Sequence, residues 1–333
     1  MSSLIKEKHR NRTMLIVEGV YEKEYLFKSM LMAFNELSID EDDVWVYKTN
    51  IYVLIQSIKN EYGENWYLQD IDLPLLVSRN DSSIATSYKS EFTDIYLIFD
   101  YERQDKRFVN IDIERMQSAF MDSTDNGKLY INYPMVEAYC DFSSIPDRSY
   151  LLKKSNSCIA NGHEYKSAVE NSVVKGFVGL PNVIEDILYT NGIEDYKNKA
   201  DMILKAAKVT PELIENIIRE NNDNDFKFDK ALCYLISAKY DEYVKGVYSG
   251  DYYSRLRNLY RYIILTSLQK IQHILGGYKE LTVYNALDLL KEQNRCAADA
   301  SNGYIWIVST AVTIITDYNS RLINVCGKDE DTY

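Results

Sequence analysis

Over the first 145 positions, short unbroken apolar runs alternate with apolar residues at helical spacing. Thr13 to Val17 predicts a buried strand, and Glu18-Gly19 turns the chain. Tyr25, Leu26, Met30 and Phe34 then recur at helical spacing across 21–35. Asp42 and Asp43 precede a second short strand at 44–47, and Ile51, Leu54, Ile55 and Ile58 predict the next helix. Residues 66–90 are irregular, with an extra strand or a loop at 73–77. Pro74 favours the loop or confines the strand to an edge. The run at 95–99 is continuously apolar, as in a strand covered on both faces of a parallel sheet. A helix over 111–121, a turn over 122–127 and a fourth strand over 129–132 follow. Pro134 is expected at N1 of the next helix. This alternation predicts an α/β fold with parallel strands flanked by helices.

Beyond residue 145 the texture changes. Helical patterns dominate at 183–189, 197–207, 210–219, 228–247, 251–275, 285–290 and 304–322. Thr210-Pro211-Glu212 is a helix start signal. The expected organisation is a basic flexible arm over 1–12 (Lys6, Lys8, Arg10, Arg12), a catalytic α/β domain over 13–145 and a mainly helical accessory or interaction domain over 146–333.

Composition narrows the class. With 46% hydrophobic and 26% charged residues, the 333-residue chain is globular and long enough for two domains. A net charge of −12 argues against a passive nucleic-acid coat, but not against an enzyme whose acids hold metal. Cys140, Cys158, Cys233, Cys296 and Cys326 form no C-x-x-C pair and read as reduced thiols of a cytoplasmic protein. The start has no apolar signal-peptide core. The apolar stretch from Ile305 to Ile315 falls short of the roughly 20 residues of a membrane span. Three histidines (His9, His163, His273) do not suit a His-rich zinc site, and no G-x-x-x-x-G-K-S/T phosphate loop occurs.

Three acidic patterns stand where predicted strands stop: Glu18 with Glu22, Asp100 with Glu102, and Glu137. In an open α/β sheet, ligands bind beyond the carboxyl ends of the strands. Two like charges about 4 Å apart cost on the order of 4 kcal/mol at an effective dielectric of 20, and a divalent cation removes that cost. The cluster therefore reads as a Mg²⁺ site for phosphate chemistry. Strand alternation is expected to put Asp100 and Glu102 on one side. Singly, each acid also reads as a cap or surface residue; Asp105, among Arg103, Lys106 and Arg107, reads as an ion-pair partner.

In order, Val17-Glu18-Gly19 with Glu22, Asp100-Tyr101-Glu102, and Asn132-Tyr133-Pro134-Met135-Val136-Glu137 resemble the TOPRIM domain of topoisomerases, primases and OLD-type nucleases. The E-G-x-x-E form looks like the OLD branch. The third segment is similar to the N-Y/P-x-x-x-E motif of TOPRIM proteins in anti-phage defence, including RloB-like proteins and the nuclease subunit of the PARIS system. D-x-E stands where the family has D-x-D. The resemblance covers roughly 13–145 and implies Mg²⁺- or Mn²⁺-dependent endonuclease activity on DNA or RNA, tRNA included. In it Asp100 and Glu102 are the main metal ligands, Glu18 a ligand or general acid/base, and Glu22 and Glu137 candidates for a second metal or its water shell. It further implies a toxic effector controlled by an ABC-type ATPase partner, with homodimerisation on activation. The rival reading is a non-catalytic TOPRIM-like sensor or adaptor.

Bases that could meet nucleic acid are Lys106, Arg107 and Lys128 near the acids, and Arg255, Arg257 and Arg261 among Tyr252, Tyr253, Tyr260 and Tyr262. For each of the first three, plain surface charge is the favoured reading. Interface or core is favoured for the Arg/Tyr helix. Lys153, Lys154, Lys166 and Lys175 form a diffuse basic group that reads as solvated surface, with substrate contact as the alternative.

Overall fold

Residues 12–37, 39–81, 85–156, 163–220, 228–277, 283–299 and 302–323 are described by a computed structural model. Residues 1–11 of the arm expected over 1–12, Cys158 and Cys326 lie outside them, while Arg12 is paired with Asp43 and Glu91. Strands β1 (Thr13–Val17), β2 (Val44–Val46), β3 (Asp94–Asp100), β4 (Met121–Asp122) and β5 (Gly127–Asn132) form one sheet in the order β2-β1-β3-β5-β4. All neighbours are parallel except β4 and β5. Val17 is in register with Ile98, and Asp100 with Asn132. The carboxyl ends of the three central strands therefore finish side by side.

Each face of the sheet has its own cover. Met14, Ile16, Leu97, Phe99, Leu129 and Ile131 pack with helices α2 (Ile51–Tyr62), α3 (Leu73–Asn80) and α4 (Asn110–Ala119). Leu15, Val17, Tyr96, Ile98 and Tyr130 face the other way, toward α1 (Lys28–Ala33) and most of the helical half. That half comprises α5 (His163–Val169), α6 (Val173–Thr190), α7 (Tyr196–Leu204), α8 (Pro211–Arg219), α9 (Ala231–Val244), α10 (Tyr252–Ile274), α11 (Ala286–Ala297) and α12 (Ile314–Asn319). A single cluster of buried side chains runs from β1 to Ile323, so position 145 lies within the span of one continuous core.

Several local expectations are corrected. Residues 73–77 are helical: Asp72 accepts the Leu75 N–H at 3.0 Å, and Pro74 occupies the first turn, where no N–H is needed. Glu22–Phe27 is a π-turn leading into α1, a form common at functional sites. Pro134 follows a cis bond and is not N1; the next turn, a 3₁₀ helix over Val136–Cys140, begins after it. Residues 304–322 are not one helix. Buried Ile305 and Ile307 alternate with half-buried Tyr304 and Trp306, so the segment opens as a strand, β7 (Tyr304–Trp306), paired with β6 (Lys154–Asn156). Val308 then bridges Tyr133, Ser309 Oγ donates to Asn132 Oδ1 at 2.9 Å, and Thr310 Oγ1 donates to the Ile131 carbonyl at 2.8 Å. Side chain-to-backbone bonds of this kind compete with helix formation.

Candidate metal centre

Glu18 is the first residue past β1. Its N–H donates to the Ile98 carbonyl at 3.2 Å, and its Oε2 accepts the Asp100 N–H at 3.1 Å. Asp100 ends β3 and is 6% exposed; its Oδ1 accepts the Val136 N–H at 2.8 Å. The adjacent Glu137, 2% exposed, lies 3.3 Å from Lys166 of α5 through Oε1, while its Oε2 is buried without a hydrogen-bond partner. Glu22 folds back so that Oε2 accepts the Gly19 N–H at 2.9 Å. A Cβ at position 19 would stand 3.0 Å from that oxygen, so glycine is what lets the carboxylate approach. Three of the acids thus spend one oxygen bracing nearby backbone. Among the described residues, Glu18 Oε1 and Asp100 Oδ2 make no hydrogen bond.

Glu102 does not continue the alternation. Tyr101 is buried, and its N–H donates to the Asn132 and Pro134 carbonyls. Glu102 itself sits at φ +31°, so the strand has ended. Its Oε2 accepts from Asn50 Nδ2 at 2.8 Å, and the same amide donates to Asp105 Oδ2 at 2.7 Å. The alternation expected to carry Asp100 and Glu102 together ends at residue 101: Asp100 is tied to Val136 and Glu102 to the start of α2, and the Glu102 charge still reaches both Asp100 and Glu18. Asn50 was not singled out in the sequence. As the N-cap of α2 it also accepts the Val53 N–H. An Asn before a helical run signals a cap but not its contact with residues over fifty positions away.

Electrostatics set these carboxyls apart. Burial, followed by the charges of Glu18, Glu22, Glu137 and Glu102, raises the Asp100 pKa well above the usual range. Burial pushes Glu18 up to about 8; the Asp100 N–H opposes the shift, and Glu102 and Glu22 add to it. Glu22 is raised by burial and by Glu137. Burial works against the charge on Lys166, but Glu137, Asp100 and Glu22 outweigh it and raise its pKa. Among the described residues, Lys166 with Glu137 is the one ion pair made to any of the five acids. No three acids, histidines or cysteines there are disposed to hold one ion together as they stand.

The expected nucleic-acid bases separate from this site. Lys128 pairs with Asp317 at 2.7 Å and lies in register with Tyr96, four residues before Asn132 and so about 13 Å back along the strand. Arg107 is bonded to Asp105 and holds that carboxyl below its usual range; Lys106 is exposed in the same turn. Arg255 donates to the carbonyls of Val247 and Gly250, Arg257 to Glu36, and Arg261 to the Leu322 carbonyl, while Tyr252 and Tyr260 are fully buried. Helix α10 is a core element, and its arginines fasten neighbouring segments. Surface clefts lie elsewhere, one lined by Met202, Leu213 and Ile217 and another by Tyr62, Asp72 and Tyr88.

Comparison with protein-family models, curated proteins and solved structures finds no match to the chain.

Proposed function

We propose that the chain is a Mg²⁺- or Mn²⁺-dependent TOPRIM-type nuclease that hydrolyses phosphodiester bonds of DNA or RNA. The observation that carries this reading is the junction of β1 and β3. There Glu18 and Asp100 meet on neighbouring parallel strands beside a buried, unpartnered Glu137 oxygen. The acids suit a hard divalent ion in donor type and in their unbalanced charge. Since no three converge, Asp100 and one neighbour (Glu18 or Glu137) would hold the ion, with water and substrate phosphate completing its shell, as Mg²⁺ commonly binds. When bound, the ion would polarise a phosphoryl oxygen and lower the pKa of a coordinated water. The protein's part is to fix the strand ends and, where Glu137 is the second ligand, to leave Glu18 Oε1 to exchange a proton with water or substrate. Lys166 offsets part of the negative charge.

The motif resemblance supports a toxic effector of bacterial defence, restrained by an ABC-type ATPase and dimerising on activation. No described helix is long and apolar enough to cross a membrane. The test is purified protein with Mg²⁺ or Mn²⁺, assayed on DNA and total RNA beside Glu18→Ala and Asp100→Ala. The expected result is cleavage by the wild type and a loss of about 10²–10⁴-fold in the variants. Equal behaviour of all three in vitro and in cell toxicity ends the enzyme reading and leaves a non-catalytic sensor or adaptor.

A further inference from the structure

The two-stranded β6–β7 ribbon carries a feature that the acidic site does not use. Tyr304 and Trp306 stand on its outer face, half-buried, with ring centroids 5.6 Å apart and planes at 86°. Lys154 lies opposite Trp306 in the ladder, and its ammonium sits 3.8 Å from the Tyr304 ring and 4.0 Å from the Trp306 ring. Exposed His273, in the last turn of α10, meets Trp306 edge-on at 5.6 Å. Among the described residues Lys154 makes no ion pair, whereas its neighbour Lys153 holds Asp141 and Asp147, in a chain where 50 acids outnumber 38 Lys and Arg.

The ribbon also lies at the acidic end of the sheet. Val308 bridges Tyr133, one residue past the end of β5, and β7 precedes Val308 in an antiparallel direction. Ile307 packs with Met135 and Ala138 of the segment holding Glu137, and with Tyr165 and Val169 of the helix holding Lys166. The aromatic face is thereby fixed to the same two elements as the acids.

From this placement we infer that Tyr304, Trp306, Lys154 and His273 form a stacking site for single-stranded nucleic acid, deepening the nuclease reading on which it rests. Every base offers a π-face to an aromatic ring, and its phosphate offers the anion that Lys154 lacks. Unpaired bases are required, because paired ones are already stacked. A cationic peptide on the same rings would meet the charge of Lys154, so charge complementarity selects the polyanion.

The test is fluorescence titration of the whole chain in EDTA, where metal-dependent cleavage is off, with oligo-dT, oligo-U and a duplex. Trp45 and Trp66 are buried, at 9% and 0% exposure, so Trp306 is the residue open to quenching. Saturable quenching by single strands and not by duplex is expected. Trp306→Ala is read by anisotropy of a labelled strand, and Lys154→Ala and Tyr304→Ala by both signals. Each is expected to weaken binding by about 10-fold, with circular dichroism confirming the fold. Absence of quenching, unchanged affinity in folded variants, or quenching by oligolysine alone overturns the inference. Cleavage by wild type without quenching removes this inference and spares the nuclease. Quenching without cleavage under Mg²⁺ or Mn²⁺ removes the nuclease and spares the stacking site.

Discussion

The two ends of the parallel sheet handle charge in opposite ways. At the amino end, Arg12 pairs with Asp43 and Glu91, Lys128 with Asp317, and Ser123 Oγ donates to Asp94 at 2.7 Å. At the carboxyl end, Glu18, Glu22, Asp100, Glu102 and Glu137 share one lysine, and burial raises three of their pKa values. Paired ends hold strands in register. An unbalanced end costs stability unless positive charge arrives from outside, which is why the carboxyl end is where a function belongs.

The largest expected effect is on stability against pH. Raised carboxyl pKa values mean that the native state binds more protons than the unfolded chain. Their stabilising contribution is complete below the unfolded values, near pH 4, and is lost as pH rises toward about 8 for Glu18. After allowance for partial exposure, Glu18 accounts for on the order of 3 kcal/mol. Lys270, pulled down to about 7 by burial, acts oppositely, adding stability as pH climbs above 7. The readout is therefore the difference between wild type and Glu18→Gln in urea unfolding from pH 5 to 8 in EDTA. The wild type loses stability relative to the variant, and saturating Mg²⁺ removes the difference. Parallel curves would erase the contrast between the two ends.

Asp100→Asn keeps an acceptor for the Val136 N–H and replaces a buried ionisable carboxyl by a neutral amide. At pH 8 without metal it is expected to gain about 1–3 kcal/mol, seen as a raised Tm, while losing the Tm response to Mg²⁺. Asn50→Ala removes the α2 cap and the clamp on Glu102 and Asp105; a loss of about 1–2 kcal/mol in urea unfolding is expected. Lys128→Ala sharpens the comparison from the other side. Its partly exposed pair is worth under about 1 kcal/mol, and the Tm response to Mg²⁺ stays as in wild type.

How far the sequence could be read depended on the range of the forces involved. The runs at 13–17, 95–99 and 129–132 were legible because strands covered on both faces must be apolar throughout. The 73–77 segment was misread because an Asp-x-Pro start marks a helix only when a cap is considered before a strand. The 304–322 segment was misread because periodicity alone does not separate a short buried strand from a helix. There Asn132, over 170 residues away, holds the backbone through Ser309 and Ala311.

The α/β alternation, the carboxylates at the strand ends and the turn at Glu18-Gly19 are legible in the sequence alone. These follow from local rules: apolar periodicity and turn chemistry. What needed the folded chain is that Asn50 holds Glu102, that Lys166 reaches Glu137, and that a two-stranded aromatic ribbon packs onto the same segment. Those outcomes depend on a backbone leaving strand geometry at one residue and on contacts between distant elements, which no local pattern encodes.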